Sequence, residues 1–425
     1  MSLRSASEKL KKMIRNSSVV KESGKMYIAE GIGMGFAFMI TLTKGKLLPI
    51  DEVGLINYIV AMVSLTSAFF NFGLDNTSAR VVLRERTKEG KETVTGTALL
   101  LSILFAEFYG IVLIIINLSS PLWSKAYIQP LVWLILPVAG YNIVLVTYKQ
   151  LCYANGSIWE ASAQLCISYV VYLVFLLIAH FFKFLNLQVA LVSSYAVNML
   201  TILIPILILH RSKLRLDRVA LEKLKTEQKE RGWKIYLSRV FFSSTFNLDT
   251  LILGIFHPLD AVAHYSITKY LAMPVSLIGT SVSQSTYRKY SDENRISRKL
   301  ILRVVAVTLI MAVTMFVVGL LVVLILGKDY QGMLKILPLS ILYSIVNGVN
   351  ALYNSFMNAR GLAEELKRLA IIGAIANLVF NFALIIPFGA MGGVVASLIV
   401  VVIILISRIY YCKRYEKQQE AAGEA

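Results

Sequence analysis

At 425 residues, 57% of them hydrophobic and only 16% charged, this chain is too apolar for an ordinary soluble protein. Its net charge of +18 invites a nucleic-acid reading. The placement of the basic residues argues against that reading, because they flank apolar runs, where they meet an anionic lipid surface and set orientation.

The first 25 residues are polar and basic, and the first apolar run begins at Met26. No cleavable signal peptide is visible, so that run is expected to act as an uncleaved anchor. A membrane span needs about 20 mostly apolar residues to cross roughly 30 Å of hydrocarbon. On that measure the sequence predicts spans over 26–47, 53–74, 95–117, 128–149, 160–182 and 187–209. A second set follows over 234–256, 260–283, 302–326, 332–356, 366–387 and 389–411. Between the sets, His210 to Lys234 is a long basic stretch that reads as an amphipathic cytoplasmic linker.

The basic residues map the topology. Of the 43 Lys and Arg, 35 fall on or beside one set of alternating connections and six on or beside the other, which leaves Arg239 and Lys269 well inside the apolar segments. Lysine- and arginine-rich loops stay on the cytoplasmic side. The chain is therefore expected to cross an inner (plasma) membrane an even number of times with both termini cytoplasmic. The expected layout is a cytoplasmic segment 1–25, an N-lobe 26–210, a linker 211–233, a C-lobe 234–411 and a tail 412–425. Cys152, Cys166 and Cys412 then lie on or near the reducing side, with no disulfide and no metal-ligand spacing expected.

The first span carries Glu30 and the run Gly31-Ile32-Gly33-Met34-Gly35. With no strand before it and a span around it, helix packing or bending is a better reading than a phosphate loop. The two halves echo each other. Pro49-Ile50-Asp51 returns as Pro258-Leu259-Asp260, Ile135-Leu136-Pro137 as Ile336-Leu337-Pro338, and Leu173-Val174-Phe175 as Leu378-Val379-Phe380. Six spans per half make a parallel repeat, the plan of transporters that bind substrate between halves and rock them. Pro137, Pro205, Pro274 and Pro338 fall within spans. They read as ordinary shaping of a bundle, with Pro274 and Pro338 as candidate hinges.

Ionisable residues inside spans are costly and mark candidate sites. They are Glu30, Glu107, His180, Arg239, Asp249, His264 and Lys269. Glu30 and Arg239 sit at similar depth, and Asp249 and Lys269 lie nearer the midplane on adjacent spans; each pair can form an ion pair, structural or functional. His180 reads as an interfacial histidine, and Glu107 as either a neutral buried acid or a proton-binding group. No nucleophile frame, paired histidine ligands or phosphate loop with its lysine is present, so neither enzymatic activity nor a cofactor is expected.

Several segments carry a family resemblance. Lys44 to Glu85, with Leu48-Pro49-Ile50-Asp51-Glu52-Val53-Gly54-Leu55 and Phe72-Gly73-Leu74, resembles the start of polysaccharide flippases of the O-antigen translocase type. Asn247-Leu248-Asp249-Thr250-Leu251-Ile252-Leu253-Gly254 resembles the segment that opens their second half. Ile371 to Val400, with Asn377, Asn381, Pro387, Gly389, Gly392 and Gly393, resembles their closing helix pair. That family shares a superfamily with multidrug and toxin extrusion antiporters and lipid II flippases.

The resemblance implies an all-α membrane protein of about 12 transmembrane helices in two parallel pseudo-symmetric six-helix lobes around a central cavity. It implies a substrate made of an oligosaccharide on undecaprenyl pyrophosphate, moved to the outer leaflet. Lys269, Arg239, Asp249 and His264 would then line the substrate site, with Glu30 and Glu107 in ion coupling or gating. The expected partners are the lipid-linked oligosaccharide, membrane lipids and the polysaccharide polymerase machinery, with the chain a monomer. The runner-up is a cation-coupled multidrug antiporter, which calls for a carboxylate-rich cavity rather than two cations against two or three acids.

Overall fold

A computed structural model describes residues 18–119, 128–209, 214–290 and 295–423, and all of its regular elements are helices. The helices are α1 (Ser18–Leu47), α2 (Ile50–Phe70), α3 (Leu74–Arg84), α4 (Lys88–Ser119) and α5 (Ile128–Ile135). They continue with α6 (Tyr141–Ala154), α7 (Ile158–Phe181), α8 (Leu187–Leu209), α9 (Arg218–Glu227) and α10 (Trp233–Phe256). The last four are α11 (Leu259–Tyr290), α12 (Arg298–Leu326), α13 (Gly332–Ala359) and α14 (Ala363–Gly423).

Among the described residues eight helical stretches are long and apolar enough to cross a membrane. One of them, α14, holds two crossings. Its helix breaks at Gly389, whose φ of 59° and ψ of −137° follow Pro387, where the sequence predicts one span to end and the next to begin. Another, Ile128–Ala154, combines α5 and α6 across the 3₁₀ turn Leu136–Val138, so Pro137 does interrupt its helix. Pro205, Pro274 and Pro338 lie inside continuous helices instead. Counting α1, α10 and α11 gives the twelve expected spans. The echoed segments land on matching spans: Pro49 and Pro258 precede the second of each half, and the Leu-Val-Phe tripeptides lie in the fifth.

The glycine run resolves as helix. α1 passes through Gly31 to Gly35 without interruption, which removes the phosphate-loop reading. Gly33 lies against Leu165 and Tyr169, whereas a Cβ on Gly31 or Gly35 would meet nothing within 4 Å among the described residues.

The chain forms two compact units. The first comprises 1–43, 67–120 and 127–236; the second comprises 44–66, 121–126 and 237–425. Most of α2 therefore belongs with the second unit. A Cβ on Gly54 would overlap the Leu259 carbonyl oxygen, so the start of α2 reaches the backbone of α11 only because residue 54 is glycine. Within the first unit Leu99, Tyr109, Ile143, Tyr148 and Tyr195 are fully buried; within the second, Ile56, Ile59, Tyr265, Tyr290 and Phe356 are.

The apolar surface is extensive. On α12, Leu302, Leu309, Ile310, Val313, Val317, Leu320 and Leu324 are all exposed, a stripe that water would not tolerate and that lipid tails cover. The chain is a multi-pass membrane protein.

The basic linker is partly helical and amphipathic. Asp217 caps α9 by accepting from the Ala220 amide at 2.9 Å, and Ala220, Leu224 and Glu227 turn inward. Glu227, 3% exposed, meets Arg84 at 2.5 Å and Arg80 at 3.6 Å on α3. Lys223 meets Glu85 at 2.5 Å, and the Gln228 amide donates to the Phe72 carbonyl at 2.7 Å. A π-helical turn, Gln228–Gly232, follows and leads into α10.

Candidate functional site: a buried carboxylate and its lysine

α11 is the most polar of the long helices. It runs 32 residues, roughly 48 Å at 1.5 Å per residue, yet fails the apolarity a lipid-exposed span requires. Its polar residues must face protein or a wet space. Lys269 stands ten residues into it, and Asp249 stands seven residues before the end of α10. His257 and Pro258 join the two helices in a tight turn, so they run antiparallel and bring both residues to roughly 10–15 Å from the turn. Side chains lean toward the helix N-terminus, so Lys269 reaches back toward Asp249 across the remaining offset.

The carboxylate is fully engaged. Asp249 is 3% exposed. Its Oδ2 accepts from Lys269 Nζ at 3.0 Å and from the Tyr265 hydroxyl. Its Oδ1 accepts from the Thr250 amide at 2.7 Å and the Thr250 hydroxyl at 3.3 Å. Tyr265 lies one turn before Lys269 on the same face, and its ring centroid is 5.1 Å from Nζ. Gly393 on α14 keeps a place for that ring: a Cβ there would sit 3.2 Å from Tyr265 Cε2. The lysine differs from its partner, since 36% of its side chain remains exposed. The result is a buried, immobilised anion holding a cation that still presents a face to its surroundings. A site of this kind can take a phosphate oxygen if Asp249 gives up its hold.

The other residues expected at this site are placed differently. The His264 ring turns to the Lys328–Tyr330 turn, with Nε2 2.8 Å from the Asp329 carbonyl and Tyr330 packed edge-on at 6.2 Å. Glu107 is exposed on α4, among the exposed Leu104, Phe108 and Ile111, and makes no ion pair among the described residues. His180 is exposed near the end of α7. Glu30 and Arg239 lie on α1 and α10, outside the residues whose side chains are described, and so does their pairing.

Two features escape a sequence reading, and so does the role of a third pair. Tyr265 is hidden because tyrosine near a membrane surface reads as an interfacial anchor. Arg408 counts with the basic tail by position, yet it is tucked against α13, donating to the Asn350 side-chain oxygen at 2.7 Å and the Asn350 carbonyl at 3.2 Å. Asn377 and Asn381, one turn apart on α14, are buried and joined by a 3.0 Å hydrogen bond. The family resemblance already singled out both residues, and their i, i+4 spacing is the signal that they can pair.

Residues 19–287 match the family model described as polysaccharide biosynthesis protein. A probable flippase of Haloferax volcanii, AglR, is 26% identical over 180 residues, covering 40% of this chain and 37% of that protein. The chain thus matches little more than a third of that relative's length. Among solved structures, the lipid II flippase MurJ in an inward closed conformation aligns with a TM-score of 0.70 at 15% identity. That alignment covers 91% of this chain and 87% of the other. An inward-facing multidrug resistance MATE family transporter gives 0.69 at 14% identity, over 92% and 99%. At these identities the likeness is one of fold.

Proposed function

The chain belongs to the polysaccharide biosynthesis protein family, and on that premise we propose that it is a flippase for an oligosaccharide carried on undecaprenyl pyrophosphate. It moves the substrate from the inner to the outer leaflet of the plasma membrane by alternating access. The observation that carries this reading is the partly exposed Lys269 held by the buried Asp249 inside a polar span.

A pyrophosphate brings strong negative charge into a region where charge is expensive, and a lysine at this depth offsets that cost. The Asp249 carboxylate and the substrate compete for the same ammonium. When substrate is bound, Tyr265 and Thr250 still hold the carboxylate and Lys269 turns its charge to the phosphate. Substrate release returns the lysine to the carboxylate. Arg239 supplies a second cation and His264 positions the Lys328–Gly332 turn beside the site, while Glu30 and Glu107 are the remaining intramembrane acids open to ion coupling. The lipid tail stays in the bilayer throughout, and the polymerase machinery receives the translocated unit.

The fold shared with multidrug transporters leaves cation export as the competing reading. The Lys269 ammonium beside Asp249, the one buried acid among the described residues of this hairpin, disfavours an organic-cation site there. The two readings separate on one experiment. The chain is expressed in a bacterium lacking its own O-antigen flippase but carrying the enzymes for this protein's glycan. Surface glycan that appears with the parent chain and disappears with Lys269→Ala, at matched protein level, supports the flippase. Resistance to cationic dyes without surface glycan overturns it.

A further inference from the structure

Beyond Lys269, α11 has one open face, and that face is polar. Between Lys269 and Tyr287 the exposed residues are Tyr270, Met273, Gln284, Ser285 and Tyr287, of which only Met273 lacks a hydrogen-bonding group. α12 does the opposite, exposing mainly leucine, isoleucine and valine. An open helix side rich in hydrogen-bonding groups belongs against water or a polar ligand rather than lipid tails.

Lys269, Met273, Ser276, Thr280, Gln284 and Tyr287 follow one another at steps of three or four residues, which sets them in one line along the helix. Tyr287 lies 18 residues beyond Lys269, roughly 27 Å, so the line runs from the buried pair toward the basic connection that follows α11. It holds no acid, and Lys269 is its single cation.

The hydrogen bonds along the line point inward and leave acceptors outside. The Ser276 hydroxyl donates to the Met273 carbonyl and the Thr280 hydroxyl to the Leu277 carbonyl, each at 2.9 Å. Each hydroxyl oxygen keeps acceptor capacity for an incoming donor. The Gln284 amide and the Tyr287 hydroxyl have no partner among the described residues, and Tyr287 is 47% exposed.

We infer that this line reads the glycan of the substrate. With the pyrophosphate on Lys269, the first sugar meets Ser276 and Thr280, and later sugars meet Gln284 and Tyr287. Sugar hydroxyls donate to the serine and threonine oxygens, Gln284 both donates and accepts, and the Tyr287 ring covers the apolar side of a sugar ring. An organic cation would find no carboxylate along the line. The assignment rests on the flippase reading and adds to it the residues that recognise sugar rather than phosphate.

The test is equilibrium binding of two lipids to the full-length protein in detergent. One is the undecaprenyl-pyrophosphate-linked oligosaccharide extracted from the source cells, and the other is undecaprenyl pyrophosphate without sugar. The parent should bind the glycan-bearing lipid roughly tenfold tighter or more, the yield of a few hydrogen bonds. Gln284→Ala/Tyr287→Ala should erase that ratio while the bare lipid binds as it does to the parent, which also reports that the variant is folded. Tyr287→Trp, which keeps an aromatic face, should retain most of the ratio, and Lys269→Ala should weaken both lipids. A ratio near one in the parent, a ratio unchanged in the double variant, or equal weakening of both lipids by it overturns the glycan assignment and leaves the flippase reading standing. Binding of neither lipid by the parent overturns both.

Discussion

Replacing Lys269 by alanine orphans the Asp249 carboxylate, leaving it with Tyr265 and Thr250 alone. Breaking a fully buried ion pair from one side costs about 3–5 kcal/mol, whereas an exposed pair is worth about 0.2–1 kcal/mol. Asp249 is 3% exposed and Lys269 36%, which places Lys269→Ala between those limits, at about 1–3 kcal/mol. Asp249→Asn leaves the orphan on the lysine, whose exposed face finds other solvation, so its cost is smaller. The double variant removes both charges and should recover at least about 1 kcal/mol relative to the sum of the singles. At roughly 2.1 cal/mol/K of unfolding entropy per residue, a chain of this size shifts about 1 °C per kcal/mol. Midpoints for the parent, both singles and the double are read from the folded fraction left after heating in detergent. Additive single effects, with coupling below about 0.5 kcal/mol, would refute the inference that the two groups are held as a pair.

Three further outcomes are expected. Glu227→Ala frees α9 from Arg80 and Arg84; at about 1–2 kcal/mol for these half-exposed arginines, tryptic cleavage within residues 223–229 should rise roughly tenfold, and an unchanged rate would show that the linker is held by something else. Gly54→Val forces α2 off the Leu259 carbonyl and should cost at least about 1–3 kcal/mol in the midpoint, whereas Gly31→Ala, whose new methyl meets none of the described residues, should cost nothing; equal effects would contradict the packing described. Burial, reinforced by Asp329, pushes the Tyr330 phenol up from 10.0 to about 12. Its raised folded value means that stability is intact below pH 10 and is lost as the pH climbs toward 12. Tyr330→Phe, whose hydroxyl has no hydrogen-bond partner among the described residues, should leave the neutral-pH midpoint unchanged and flatten that alkaline decline.

The membrane spans were legible because lipid demands long apolar helices, and basic residues cannot hide among them. The division of α14 at Gly389 was readable too, since Pro387 and a glycine two residues on stop a helix for stated steric reasons. Charged residues in adjacent spans made the Asp249–Lys269 pair readable, because a buried charge needs a partner and Pro258 marks the turn between them. Sequence spacing could not show which other groups complete a site. Tyr265 and Gly393 join the cluster through packing of α11 against α14, more than a hundred residues apart. Arg408 illustrates the opposite failure: one turn at a helix end decides whether a cation belongs to the tail or to the helix bundle. Most of α2 falls in the second unit, where Gly54 meets the Leu259 backbone, and no periodicity displays that contact.

The central claim is transport of a lipid-linked glycan through the Lys269 site. The most direct measurement uses proteoliposomes holding the purified protein and fluorescently tagged, undecaprenyl-pyrophosphate-linked oligosaccharide extracted from the source cells. A membrane-impermeant quencher reports the fraction of glycan on the outer face over time. The account predicts exchange between leaflets that depends on the protein and is lost with Lys269→Ala in a correctly folded preparation. Exchange no faster than in protein-free vesicles, or equal for the parent and Lys269→Ala, would contradict it.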